Sequence, residues 1–393
     1  MPFKREIILI CLVNHNYSSI QLSPRRGKMK RFILFILLLV MGISFVSCTL
    51  PGIDKATGSD PEGNENEEMS KDVLEDDTGE SGTSEESSNV PKSEETVSNG
   101  SDGNTTTSIT LYYQDGMGYL IPVTRQIPKQ EGIARAAVNG LIDNSQNREE
   151  LMYYGLYPVI PKGTEVRGID IDDGIAEIDF NENILNYESA KAERNIICSL
   201  VYTLTGFKTI TGVKVLVNGI NPDSLKFSTD VSGILDRGNI LINTGKINLE
   251  EGVGKSDVYY IRQGIDQRSY YVPVSYEHDI VANEDKPAEI MDLYGREPGN
   301  NDLQSLIPKG TELTESSIEG DVLALNFNHS IKNYGGTASE DAIIRQIMYS
   351  MKQIKGINKL RIAIEGERTH LPEGTDISRD LILPAYINGI EEN

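Results

Sequence analysis

Tryptophan is absent from this 393-residue chain, and only three cysteines and four histidines occur. Cys11, Cys48 and Cys198 are too scattered for a zinc ligand set, a redox pair or a disulfide framework. Cys198 sits on the apolar side of an expected helix and reads as core. His15, His278, His329 and His370 form no cluster that suggests a metal or a general base. Basic residues are outnumbered as well: 37 Lys and Arg against 59 Asp and Glu leave a net charge of -22. Nucleic acid is thereby excluded as a partner, because phosphate binding draws on clustered Lys and Arg. Neither a Gly-x-Ser-x-Gly elbow nor a phosphate-cradling Gly-Lys-Ser loop is present. Hence no catalytic residue, metal site or cofactor is expected.

The N-terminal third is organised for export. Lys28 to Arg31 carries positive charge, Phe32 to Val40 is an unbroken apolar run, and Gly42 to Ser47 is smaller and more polar. That is the order of a signal peptide, assigned to 29–47. Residues 1–28 precede this charge pattern and read as a mis-annotated leader, with Met29 the expected start. Phe45-Val46-Ser47-Cys48 resembles the lipobox of bacterial lipoproteins, with Phe where Leu is usual. The resemblance implies lipid attachment at Cys48 and a membrane anchor on the exported side. An uncleaved anchor and cleavage elsewhere are the alternatives. Residues 48–107 are rich in Ser, Gly, Asn, Asp and Glu, and from Thr49 onward hold sixteen acidic residues against three basic. Such a segment cannot bury enough apolar surface to order itself, so it reads as a self-repelling tether.

The remaining two thirds of the chain is a duplication. Ile160-Pro161-Lys162-Gly163-Thr164-Glu165 recurs as Ile307-Pro308-Lys309-Gly310-Thr311-Glu312, and 160–219 aligns without a gap on 307–366 with nineteen of sixty positions identical. Leu111-Tyr112-Tyr113 matches Val258-Tyr259-Tyr260, Ile121-Pro122-Val123 matches Val272-Pro273-Val274, and Thr229-Asp230-Val231-Ser232 matches Thr375-Asp376-Ile377-Ser378. Two domains are expected, at 108–247 and 255–388, joined by Gly-rich residues near Glu250 to Gly254.

Each copy begins with a hairpin, Ile109 to Tyr113 with Gly118 to Val123 and Val258 to Ile261 with Ser269 to Val274. A helix is expected at 131–142 in the first copy and at 288–294 in the second. Ala176, Ile178 and Phe180 then alternate with polar neighbours as a half-buried strand does, repeated as Leu323, Leu325 and Phe327. A long amphipathic helix carries Ile196, Ile197, Leu200, Val201 and Leu204, matched by Ile343, Ile344, Ile347, Met348 and Met351. Thr337 and Glu340 have capping-box spacing at its second occurrence. A last strand spans Val213 to Val217 or Leu360 to Ile364. The expected class is α+β, with helices packed on one face of a mainly antiparallel sheet.

Three further features invite chemistry. Asp170, Asp172, Asp173 and Gly174 are acidic enough for calcium, but lack the EF-hand spacing and read as a hairpin turn. Ser317, Glu319 and Gly320 hold the matching places without the acid cluster. Lys162 and Lys309 could meet an anionic ligand, although Pro and Gly on either side explain the motif as turn geometry. Tyr112, Tyr113, Tyr259 and Tyr260 could stack on sugars or pack inside.

The Tyr-Tyr hairpin, the Ile-Pro-Lys-Gly-Thr turn, the strand ending Phe180-Asn181 or Phe327-Asn328 and the long helix together resemble the sporulation and spore germination (GerM) domain family. The resemblance implies a fold similar to the ring-building motif. It also implies a non-enzymatic scaffold with protein partners in a transenvelope complex between mother cell and forespore. The fold repeats and no polar constellation is seen to repeat with it, which favours binding over catalysis. A peptidoglycan or glycan-binding module and a cell-wall hydrolase with an unrecognised site are the other readings.

Overall fold

β-Branched and aromatic residues fill the first described stretch, and they pair as a hairpin. A computed structural model describes residues 106–264, 268–296 and 301–389; the leader, the signal with Cys48, and the linker through residue 105 lie outside the described residues. Thr106–Asp115 (β1) and Leu120–Pro128 (β2) are antiparallel; β1 is longer at both ends than the apolar pattern marks, while β2 starts two residues later than expected and runs on to Pro128. Asp115 closes their turn by accepting from the Met117 and Tyr119 amides at 2.9 Å each.

Ile133–Gly140 (α1) is shorter than expected, and Ser145–Met152 (α2) was not expected at all. Leu151 is the only residue of α2 that is buried, so α2 has no apolar stripe to betray it; Asn144 starts it by accepting from the Asn147 amide at 2.9 Å. Leu156–Tyr157 (β3) then pairs with β1. Val166–Asp172 (β4) and Ile175–Phe180 (β5) form the second hairpin, with Ala176, Ile178 and Phe180 inward as the alternation requires. Ala190–Leu204 (α3) crosses over to Gly212–Val217 (β6), which lies parallel to β5 because the helix carries the chain back to the same end.

The second copy repeats this plan. Gly254–Gln263 (β7) pairs with Ser269–His278 (β8), followed by Lys286–Tyr294 (α4) and Leu303–Gln304 (β9). Leu313–Glu319 (β10) and Val322–Phe327 (β11) are antiparallel; Thr337–Met351 (α5) leads to Lys359–Ile364 (β12), and Leu381–Ile382 (β13) pairs beside it.

The α+β class and the predominance of antiparallel pairs hold. Each copy divides its strands between two sheets, ordered β2-β1-β3 and β4-β5-β6, then β8-β7-β9 and β10-β11-β12-β13. The long helix bridges them: α3 packs on both β1 and β6. Ile196, Ile197, Leu200, Val201 and Leu204 are all buried, each contributing about 1.5–3 kcal/mol of transfer free energy. The capping box at α5 does not form. Thr337 is the first helical residue behind Gly336, no side chain caps the end, and Glu340 bonds elsewhere.

Both copies lie in one compact unit, 95–393. The larger apolar core runs from the first copy into Val258, Tyr260, Tyr270 and Val272 of the second, so the copies share interior as well as sequence.

Candidate functional site

The residues that invited chemistry take up structural posts. Cys48 and His15 lie outside the described residues. His329 and His370 are exposed, while His278 bonds Ser256 Oγ through Nε2 at 2.9 Å. Among the described residues, no group of three His, Cys, Asp or Glu is placed to hold a metal ion. Asp173 and Gly174 both have positive φ, 47° and 80°, the backbone of a tight hairpin turn between β4 and β5. Cys198 is buried; its Sγ donates to the Leu241 carbonyl at 3.2 Å, and burial pushes the thiol up to about 12, far from nucleophilic use. Tyr112, Tyr113 and Tyr260 are buried and Tyr259 is half-buried, so these side chains offer no stacking platform to a sugar.

Lys162 and Lys309 are exposed on two identical turns. Gly163 and Gly310 both have φ 83°, a conformation that side chains disfavour. A neighbouring asparagine clamps each turn. Asn181 accepts from the Glu165 amide at 3.0 Å and donates to the Gly163 carbonyl at 3.1 Å. Asn328 does the same to Glu312 and Gly310 at 3.2 and 2.8 Å. The Phe-Asn strand end and the Ile-Pro-Lys-Gly-Thr turn are therefore two halves of one device.

The expectation that no polar constellation repeats is corrected by the structure. In α3, Glu193 is fully buried and accepts from Tyr187 Oη at 2.6 Å and from the Phe227 and Thr229 amides at 2.6 and 3.0 Å. In α5, Glu340 accepts from Tyr334 Oη at 2.6 Å and from the Glu373 and Thr375 amides at 2.7 and 2.8 Å. Burial opposes the charge on both carboxylates; the tyrosine and backbone donors outweigh it and hold both below the ordinary value. A second repeated set ties each long helix to the first strand of its copy. Ser199 Oγ donates to the Tyr112 carbonyl and Thr203 Oγ1 accepts from the Tyr112 amide; Gln346 and Ser350 do the same to Tyr259. The available signal for the first set was positional, since Tyr187 and Glu193 are each identical to their partner 147 residues on.

Between the copies lies a further polar cluster. Asp257 accepts from Tyr202 Oη at 2.9 Å and from Ser275 Oγ at 2.6 Å, and Lys255 Nζ reaches the same tyrosine oxygen at 2.6 Å. Gln353 bonds the Asp257 backbone at both its amide and its carbonyl. The Arg237 guanidinium lies 4.9 Å from the Tyr202 ring centre and donates to the Tyr202 carbonyl.

The carboxylates in the first and third of these arrangements accept from donors of the chain itself, and the three sets together brace loops, helices and the seam. The surface carries individual exposed apolar side chains and a groove lined by both polar and apolar residues. Met152, Tyr153 and Tyr157 are exposed at one end of the first copy, and Met291, Ile307, Pro308 and Leu313 line a groove of about 940 Å³ in the second. No helix among the described residues is long and apolar enough to cross a membrane.

Comparison with known proteins agrees with this architecture. A family described as "Sporulation and spore germination" matches at 110–223 and again at 257–370. The spore germination protein GerM of Bacillus subtilis (strain 168) is 27% identical over 292 residues, which cover 71% of this chain and 77% of that protein. The solved tandem GerMN domains of the sporulation protein GerM from Bacillus subtilis superpose with a TM-score of 0.62 at 26% identity, covering 72% of this chain and 99% of theirs.

Proposed function

Since the chain belongs to the sporulation and spore germination family, we propose that it is a membrane-anchored, non-enzymatic scaffold that holds protein partners of a transenvelope complex between mother cell and forespore. The observation that carries this reading is the closure of the repeated polar groups. Glu193 and Glu340 are the buried acids common to both copies, and each is committed to a tyrosine and two backbone amides of its own copy. A general acid or base must reach a substrate proton, and these carboxylates face inward. The exposed turns and apolar patches suit protein contact, where aromatic and aliphatic side chains supply the anchors.

Anchoring is assigned to a lipid on Cys48. The acidic segment that follows Cys48 in the sequence would serve as the link between that anchor and the two copies. The test replaces Cys48→Ala in the sporulating host and follows fractionation and spore yield. The expected result is loss of the protein from the membrane fraction with a fall in spore yield. Unchanged membrane retention would overturn the anchor, and release of soluble muropeptides from purified cell wall by the protein would overturn the non-enzymatic reading.

A further inference from the structure

Strands β2 and β8 run side by side at the boundary between the copies, and neither can zip to the other directly. Each carries a buried proline, Pro122 or Pro273, at the same position of its hairpin, and proline has no N–H to give a ladder. The gap is bridged by two asparagines from the tails at the end of each copy. Asn243 Oδ1 accepts from the Leu120 amide at 2.7 Å, while Nδ2 donates to the Leu120 carbonyl at 2.9 Å and the Pro273 carbonyl at 2.8 Å. Asn388 Oδ1 accepts from the Tyr271 amide at 2.9 Å, while Nδ2 donates to the Tyr271 and Pro122 carbonyls at 2.8 Å each. Leu120 and Tyr271 are equivalent in the repeat, as are Pro122 and Pro273. Both asparagines stand at positive φ, 57° and 48°, which Asn tolerates better than most side chains.

The preceding residues cross over. Ile242, in the tail of the first copy, accepts from the Ser275 amide and donates to Ser275 Oγ in the second, at 3.0 and 2.8 Å. Ile387, in the tail of the second copy, accepts from the Thr124 amide and donates to Thr124 Oγ1 in the first, at 2.9 and 3.0 Å. Exchanging the names of the copies leaves this bonding pattern unchanged. Such reciprocity is the mark of an isologous, two-fold interface.

We infer that the tandem is a fused two-fold dimer: the docking partner of each copy is the other copy, locked by mutual exchange of the Ile242-Asn243 and Ile387-Asn388 tails. Other molecules then meet the pair as one rigid body, and β2 and β8 are not free to accept an added strand. The inference stands on the bonding pattern alone and survives if the scaffold role fails.

The test uses the compact unit 95–393 with a protease site inserted between Glu251 and Gly252, both exposed in the turn that joins the copies. After cleavage the two halves should remain one particle by light scattering at micromolar concentration. Asn243→Ala and Asn388→Ala should each weaken their association at least tenfold, and the double variant more. Hydrogen exchange on the uncut chain is independent of the cleavage: Asn388→Ala should speed exchange at the Tyr271 amide at least tenfold and leave the Leu120 amide protected, with Asn243→Ala doing the reverse. Separation of the wild-type halves on cutting, or Asn variants that hold and exchange like wild type, would overturn the inference.

Discussion

The two copies differ most between the first hairpin and the Ile-Pro-Lys-Gly-Thr turn, and least around the buried glutamate. Copy 1 fills the variable stretch with α1, α2 and β3, whereas copy 2 has α4 and β9 among its described residues and leaves Ile307 and Pro308 half-exposed along a groove. Ile160, the partner of Ile307, is buried. Around Glu193 and Glu340, by contrast, the tyrosine, the two amides and the supporting loop coincide bond for bond. The difference teaches where this fold tolerates change. A helix on the rim can be gained or lost because the core beneath can close in another way; a buried charge cannot lose a donor without leaving the charge unpaired.

The strongest way to break the comparison is to remove the shared acid. Glu193→Ala and Glu340→Ala each strand a tyrosine hydroxyl and two amides, and each should cost about 3 kcal/mol. With no Trp, thermal unfolding is best followed by far-ultraviolet circular dichroism. Equal losses would confirm that the two networks are equivalent; a loss below about 1 kcal/mol in either would show that its loop reaches water. Acid gives the matching experiment. Both carboxyls are held below their ordinary value when folded, so as pH falls the unfolded chain takes up protons first. Their contribution is complete above the unfolded value of about 4.3 and is lost as pH drops through the depressed folded values. The variants Glu193→Gln and Glu340→Gln should therefore be less stable than wild type at neutral pH and should lose less on acidification. An acid limb parallel to wild type would sink that assignment.

Next in size is the turn clamp. Asn181→Ala and Asn328→Ala remove two bonds each from equivalent turns and should cost about 1–2 kcal/mol, with faster exchange at the Glu165 and Glu312 amides. The effect should be smaller in copy 1 because Asn183 also donates to the Gly163 carbonyl, at 2.8 Å, whereas its counterpart Ser330 has no such bond to Gly310. Equal losses would mean that Asn183 adds nothing.

The duplication, the hairpins and the long helices were legible because apolar periodicity and an intact hexapeptide mark them. The polar devices were legible only as letters. Asn181 and Asn328 were visible as a strand ending, but that they grip the turn sixteen residues earlier needs the sheet register. Glu193 and Glu340 lie in the first turn of a helix, where an acid ordinarily faces solvent or caps the end, and the pattern at Thr337 and Glu340 suggested the latter. Asn243 and Asn388 sit in irregular tails, where no period advertises burial. α2 escaped notice because Leu151 alone faces inward. Side chains that act on distant backbone leave no local signature, and in this chain they carry the contacts that hold loops and copies together.

The smallest expected contrast concerns how the long helices start. Ser189 caps α3 by accepting from the Ala192 amide at 3.1 Å, while α5 begins behind Gly336 with no side-chain cap. Ser189→Ala should cost about 1 kcal/mol, and Thr337→Ala, at the place where a capping box was expected, less than about 0.5 kcal/mol. Gly336 has φ 84°, so a serine introduced there would meet backbone strain before it could cap. Copy 2 thus starts its helix without the hydroxyl that copy 1 uses, and Glu340, the acid that a capping box would recruit, is committed to the 373–375 loop. If Thr337→Ala proved as costly as Ser189→Ala, the threonine would be capping the helix in solution and the commitment of Glu340 to that loop would be incomplete.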